Sequence, residues 1–157
     1  MKRAALALWM LAVTGPAFAG FDDGVRAYRI RDYPVALREF QSAAAAGHAE
    51  AQSYLGDMYI RGLGVNQSDT EAQRWFRAAA EQGYGKAQFN LGLMYYGGQG
   101  IRKDMDAAYF WFLHAVKSDN TAIPDLAIKN RDIIAKTISK QQQADAEALV
   151  NVWRPKR

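Results

Sequence analysis

The sequence contains no cysteine. Disulfide cross-links, thiolate metal ligands, a cysteine nucleophile and a lipid-bearing cysteine at a processing site are therefore all excluded. Histidine is almost as scarce: His48 and His114 are the two present, 66 positions apart, with no carboxylate cluster beside either. That is too little for a metal site, so His48 is expected in a turn and His114 packed in a helix near Trp111. A bilayer-spanning run is missing as well. The apolar stretch Ala4–Val13 has about ten residues, against roughly 20 for a transmembrane helix, so no stable membrane insertion of the mature chain is expected.

Neither sign of charge dominates. Twenty Lys and Arg stand against 16 Asp and Glu, a net +4, and residues 1–19 hold two of the bases and none of the acids. The remainder carries 18 bases and 16 acids, about +2. Opposite charges are also interspersed, as where Arg102 and Lys103 adjoin Asp104 and Asp106. A polyanion binder clusters its bases on one face, so nucleic acid is not an expected partner.

Catalytic patterns are missing in turn. Gly83-Tyr84-Gly85-Lys86-Ala87 lacks the Walker spacing and the Ser or Thr after Lys. Gly97-Gly98-Gln99-Gly100 follows a helical pattern, where a dinucleotide loop would follow a strand. Asp104 and Asp106 open a helix, where a carboxylate caps free N–H groups. Ser139-Lys140 reads as a helix cap, with no Ser-x-x-Lys and its partner motifs. No catalytic, cofactor-binding or metal-binding residue is nominated, and no cofactor is expected.

What is present begins with a leader. Lys2 and Arg3 precede the apolar run, Gly15 and Pro16 break it, and Ala17-Phe18-Ala19 is a small-x-small site. This predicts a signal peptide over residues 1–19, cleaved near Ala19, and a periplasmic or secreted product beginning at Gly20.

The remainder repeats itself. Shifted by 36, Gly47 meets Gly83, Ala51 meets Ala87, Gln52 meets Gln88, Leu55 meets Leu91, Gly56 meets Gly92, and Met58-Tyr59 meets Met94-Tyr95. Gly62 and Gly64 meet Gly98 and Gly100, Ala72 meets Ala108, and Trp75-Phe76 meets Trp111-Phe112. A period of 20 to 50 residues marks stacked supersecondary units. Ala51, Leu55 and Met58 form a helical stripe, echoed by Ala87, Leu91 and Met94. Asp32, Ser68 and Asp104, also 36 apart, are good N-caps. Gly56 and Gly92 sit inside helices, where glycine costs roughly 1 kcal/mol against alanine. Their recurrence predicts a neighbour too close for a Cβ.

The first unit shares the second helix of the repeat but has a shorter inter-helix loop, since Tyr28 lies 8 residues before Ala36 and Tyr59 lies 13 before Ala72. Beyond residue 118 the pattern stops. A helix from Pro124 to about Ile138 offers Leu126, Ile133, Ile134 and Ile138 for packing. The capping box Ser139-Lys140-Gln141-Gln142 then opens a last helix carrying Ala144, Ala148, Leu149 and Val152. The fold class read from this is all-α: an α/α solenoid of antiparallel helix pairs with a C-terminal helical cap. Its units are about 21–46, 47–82 and 83–118, with the cap at 119–157, all within one domain of residues 20–157.

These residues resemble the Sel1-like repeat family, relatives of tetratricopeptide repeats. The carriers are Ala49-Glu50-Ala51-Gln52, Leu55-Gly56, Met58-Tyr59, Gly62, Gly64-Val65, Ala72, Trp75-Phe76, Ala79-Ala80 and Gly83, with a second copy behind them. Ser68 departs from the family's Asp, and Ser53 from its aromatic. The tail, with Asn130-Arg131-Asp132 and Trp153-Arg154-Pro155, looks like the end of small exported bacterial members. The resemblance implies an α/α solenoid that binds a protein or peptide. With the catalytic motifs missing, a non-catalytic role is expected, and the chain is expected to be a monomer. Some cysteine-rich secreted relatives are linked to penicillin binding, so an envelope enzyme acting on β-lactams or cell-wall fragments is the alternative.

For a partner site, the first helix of each repeat is expected to line the concave side. Beside its core stripe run Tyr54, Asp57 and Arg61, and in the next repeat Asn90, Leu93 and Gly97. These positions break the repeat, and Tyr and Arg are types that carry interface energy. Tyr54, Asp57, Arg61, Asn90 and Leu93 are therefore the expected partner-binding residues.

Overall fold

The computed structural model describes residues 19–118 and 123–156, and within them the chain is entirely helical. The helices are α1 (Ala19–Arg29), α2 (Tyr33–Ala45), α3 (Ala49–Arg61), α4 (Asp69–Glu81), α5 (Gly85–Gly97), α6 (Met105–Ala115), α7 (Ile123–Ala135) and α8 (Lys140–Val152). The first unit, expected from about residue 21, thus begins two residues earlier, at Ala19. Residues 1–18 of the expected leader lie outside the described residues.

The repeated polar residues start the helices as expected. The side chains of Asp32, Ser68 and Asp104 accept from Val35 N, Glu71 N and Ala107 N at 3.3, 3.2 and 2.9 Å. The helix ends repeat too. After α2, Gly47 N donates to Ala44 O and His48 N to Ala43 O; after α4, Gly83 N and Tyr84 N make the same pair with Ala80 O and Ala79 O. Both glycines hold φ near +90° (89° and 91°). That left-handed turn, free of strain for glycine, reverses the chain in two residues.

Each helix packs chiefly on its neighbours in the chain, α1 on α2, α2 on α3 and so on to α7. This is a helical repeat solenoid. The stripes Ala51, Leu55, Met58 and Ala87, Leu91, Met94 are buried, as are Phe40, Phe76 and Phe112 from the second helices. The interior glycines explain the close approach within a pair. A Cβ on Gly56 would lie 2.6 Å from the Phe76 ring, and one on Gly92 2.7 Å from Phe112. Gly24 does the same against Phe40, at 2.8 Å. The first unit is therefore a full helix pair with the same glycine–phenylalanine lock. The lock spans 16 residues there and 20 in each repeat, so the loop is four residues shorter. In that register Tyr28 takes the place of Ile60 rather than of Tyr59.

Between units, tryptophan is the wedge. Trp111, 7% exposed, packs into the cluster made by α4 and α5, and Trp75 packs on the cluster of the first unit and α3. The C-terminal helices both lie on α6, with α7 also touching α5. Their buried residues differ from those expected. Ile134 is buried and Ile138 packs on the cluster, but Leu126 and Ile133 are 46% and 42% exposed; Ile123 and Ala127 fill the contact instead. On α8, Ala144, Ala148, Leu149 and Val152 face outward, and Ala146 and Val150 are buried. Apolar residues lie on every side of that helix, so periodicity alone does not choose its buried face.

Candidate functional site

The expected partner-binding residues lie along the first helices of the two repeats, Tyr54, Asp57 and Arg61 on α3 and Asn90 and Leu93 on α5. Asp57 and Arg61, one turn apart on α3, pair at 3.2 Å. The Tyr28 hydroxyl donates to the same Asp57 carboxylate, and Arg61 Nη1 donates to that hydroxyl at 3.3 Å. Burial, then the Asp57 charge it bonds, holds the Tyr28 phenol well above the usual tyrosine range. The triad thus clips the first unit to the second.

Tyr54 is drawn inward. Its ring stacks on Phe40 at 4.6 Å and 13°, meets Tyr28 and Phe21 at 5.3 and 6.0 Å, and lies 5.4 Å from Lys86 Nζ. Much of its aromatic surface is therefore engaged within the fold. Burial raises its phenol's pKa as well. Arg61 remains exposed at its guanidinium side.

Three of the five residues meet elsewhere. Asp57, Asn90 and Leu93 line one cleft of about 190 Å³ where α3, α4 and α5 converge. Ile60, Phe76, Met94 and Gln99 complete it. Tyr54 and Arg61 do not line this cleft, and Gly97 lies beyond it on the exposed end of α5. The floor is apolar, with Phe76 and Met94 each 2% exposed, and the walls carry a carboxylate and two amides. Such a surface can hold one apolar side chain while Asn90 and Gln99 bond a peptide backbone. Of the lining residues missed from the sequence, Ile60 left a signal, because it meets Tyr96 across the repeat. Phe76 and Met94 belong to the repeated core and gave none.

The histidines do different work. His48 N-caps α3, its Nδ1 accepting from Ala51 N at 3.1 Å. His114 is 7% exposed, with Nε2 buried and unpartnered. Burial, then the charge of Lys117, lowers its pKa to about 4, so the ring is neutral at pH 7. Among the described residues no three His, Asp or Glu side chains gather as they would around a metal ion, and no helix is long and apolar enough to cross a membrane.

Comparison with known proteins finds the Sel1 repeat twice, over residues 49–84 and 85–120. Among solved structures, the chain is similar to a protective antigen present in uropathogenic Escherichia coli strains, described as displaying an SLR fold. The two share 34% identity and a TM-score of 0.80 over 88% of this chain and 30% of that one. It is also similar to a Sel1 repeat protein from Oxalobacter formigenes, at 29% identity and a TM-score of 0.63, over 82% of this chain and 60% of that one. The chain therefore spans only about a third and three-fifths of these proteins' lengths. No curated protein sequence matches it.

Proposed function

The chain is a Sel1-repeat protein, and from that premise we propose that it is an exported, non-catalytic scaffold holding a segment of another protein in the cell envelope. Sel1-repeat proteins are typically protein-interaction scaffolds. The observation that carries the reading to this chain is the cleft between α3, α4 and α5. It draws Asp57 from one repeat and Asn90 and Leu93 from the next, and each differs from its counterpart: Asp57 from Leu93, and Asn90 from Tyr54. Core positions repeat because packing repeats, whereas a surface that reads one partner has no reason to. The cleft takes a single apolar side chain of a peptide whose backbone lies along α5.

Export rests on the leader. The Lys2-Arg3 start, the short apolar run and Ala17-Phe18-Ala19 support cleavage before Gly20. Mass spectrometry of the envelope fraction should find Gly20 at the N-terminus. Intact Met1 on a cytoplasmic product would refute export.

Site-specific photo-crosslinking tests the cleft. A crosslinking residue at Asn90 should give a discrete adduct in the envelope that is lost when Leu93→Glu is added. The same residue at Thr70, exposed on α4, should give none. Equal adducts at both positions, or none at Asn90, would overturn the assignment.

A further inference from the structure

The last residues return to the repeats. After α8 the chain runs extended, and Trp153 packs on His114 at 4.3 Å and edge-on to Trp111 at 6.5 Å. Pro155 then sits over Gly83, 3.4 Å from where a side chain on that glycine would begin. Lys156 N donates to Glu81 O at 2.8 Å, and its ammonium pairs with the Glu81 carboxylate at 2.7 Å. The tail thus lies as a short peptide would in a groove between the α4–α5 turn and α6: an aromatic anchor, a proline, then a cation on a carboxylate.

Two observations say that this groove is shaped for more than the tail. The first is the repeat itself. In the preceding unit Gln82 donates to Gln52 Oε1 at 2.7 Å and to Ala78 O at 3.4 Å, closing the equivalent junction with its own side chain. Thirty-six residues on, Ser118 replaces Gln82 and His114 replaces Ala78. The closing amide is absent, and a ring with hydrogen-bonding capacity lines the floor. The second is the fit. A cavity of about 320 Å³ remains between the tail and the groove, lined by Gln88, His114 and Ser118 on one side and by Val150 and Trp153 on the other. His114 Nε2 stays buried without a partner. The ion pair that ends the tail adds little to its hold, because the Lys156 side chain is 73% exposed.

We propose that this groove is a second peptide-binding site, plugged in cis by the tail. Its ligand is a partner segment with an aromatic residue and, three positions on, a lysine or arginine. Such a segment reproduces the contacts of Trp153 and Lys156, and a bulkier or more polar middle fills the cavity and bonds His114. The tail has the advantage of being tethered, which raises its effective concentration to the order of millimolar; the partner has the better fit. The site shares no lining residue with the cleft of Asp57 and Leu93, so either site can fail without the other.

The test uses the full chain and a fluorescent peptide of the tail's own sequence, Val-Trp-Arg-Pro-Lys. Lys156→Glu sets two carboxylates against each other and frees the tail without touching the core. Fluorescence anisotropy should show the peptide binding this variant about tenfold or more tighter than the wild-type chain, since the tethered competitor is weakened. Glu81→Lys should reject that peptide and accept one ending in Glu. The double variant, with the ion pair reversed, should exclude both as the wild type does. Equal weak binding to wild type and Lys156→Glu, with helicity unchanged, would overturn the proposal and leave the tail a fixed part of the fold. So would a concentration-dependent dimer of Lys156→Glu, which would make the second copy the occupant.

Discussion

Gly56→Ala should destabilise the protein although alanine is the better helix former. The gain is local: about 1 kcal/mol for replacing an interior glycine. Against it stands the ring of Phe76. The new methyl would lie 2.6 Å from both Cδ1 and Cε1 and 2.9 Å from Cγ, so it meets the ring broadside rather than at a movable tip. Phe76 is 2% exposed and shares its cluster with Ala72, Ala79 and Leu91, all fully buried. The ring is packed on every side but the one that floors the cleft, so relief comes chiefly from separating α3 and α4 by several tenths of an ångström. Overpacking of that kind costs about 1–3 kcal/mol, and an intrusion this deep belongs in the upper half of that range. The net loss is about 1–2 kcal/mol. Gly97→Ala is the control, since its nearest neighbour would be the exposed Gln99 side chain at 3.5 Å. It should stabilise by about 0.5–1 kcal/mol. Urea denaturation followed by far-UV circular dichroism reads both signs as opposite shifts of the midpoint. Adding Phe76→Leu should recover part of the Gly56→Ala loss, through a coupling of about 1 kcal/mol. A Gly56→Ala chain as stable as wild type would refute the lock.

Trp111→Ala should cost about 3–5 kcal/mol in the same assay, as for a buried core aromatic, because the indole is the wedge between α6 and the α4–α5 pair. Leu149→Ser should change stability by less than about 0.5 kcal/mol, whereas Val150→Ser should be clearly destabilising; the reverse order would restore the outward-facing residues of α8 to the core. His114 gives the fold a pH dependence. Its pKa is about 4 in the folded chain and 6.5 ordinarily, so the unfolded chain binds more protons between those values. Stability should therefore fall as pH drops from 6.5 to 4 and level off below, by up to about 3 kcal/mol. His114→Ala should flatten that part of the stability–pH curve, and an unchanged curve would mean the ring charges freely in the fold.

The fold was legible because packing demands recur with the repeat. A glycine facing a phenylalanine, a tryptophan between units and a cap at each second helix are each imposed by one geometry used again, so one sequence shows them twice. Even the first unit obeys, with Gly24 against Phe40, although its shorter loop hid the register. The reading weakened where repetition ended. On α7 and α8 each residue is seen once. With apolar side chains on several faces, the choice between Val150 and Leu149 depends on where α6 lies, which no local pattern states.

The candidate sites invert that logic. Asp57, Asn90 and Leu93 were visible as breaks in the repeat, and the fold places them on one cleft; Tyr54 broke the repeat equally and turns out to stack on Phe40. A break therefore marks a position released from the repeated packing, and two things release it: a surface, or a junction with something unrepeated. Tyr54 belongs to the second kind, since the first unit offers it Phe21 and Tyr28, where the next unit has Ser53 and Ile60 in the same register. His114 and Ser118 belong there too, facing a tail that occurs once. Asp57 sits at both, clipped to Tyr28 behind and lining the cleft in front. Substituting it would disturb stability and binding together, whereas Asn90 and Leu93 separate the two, which is why the cleft is best probed from α5.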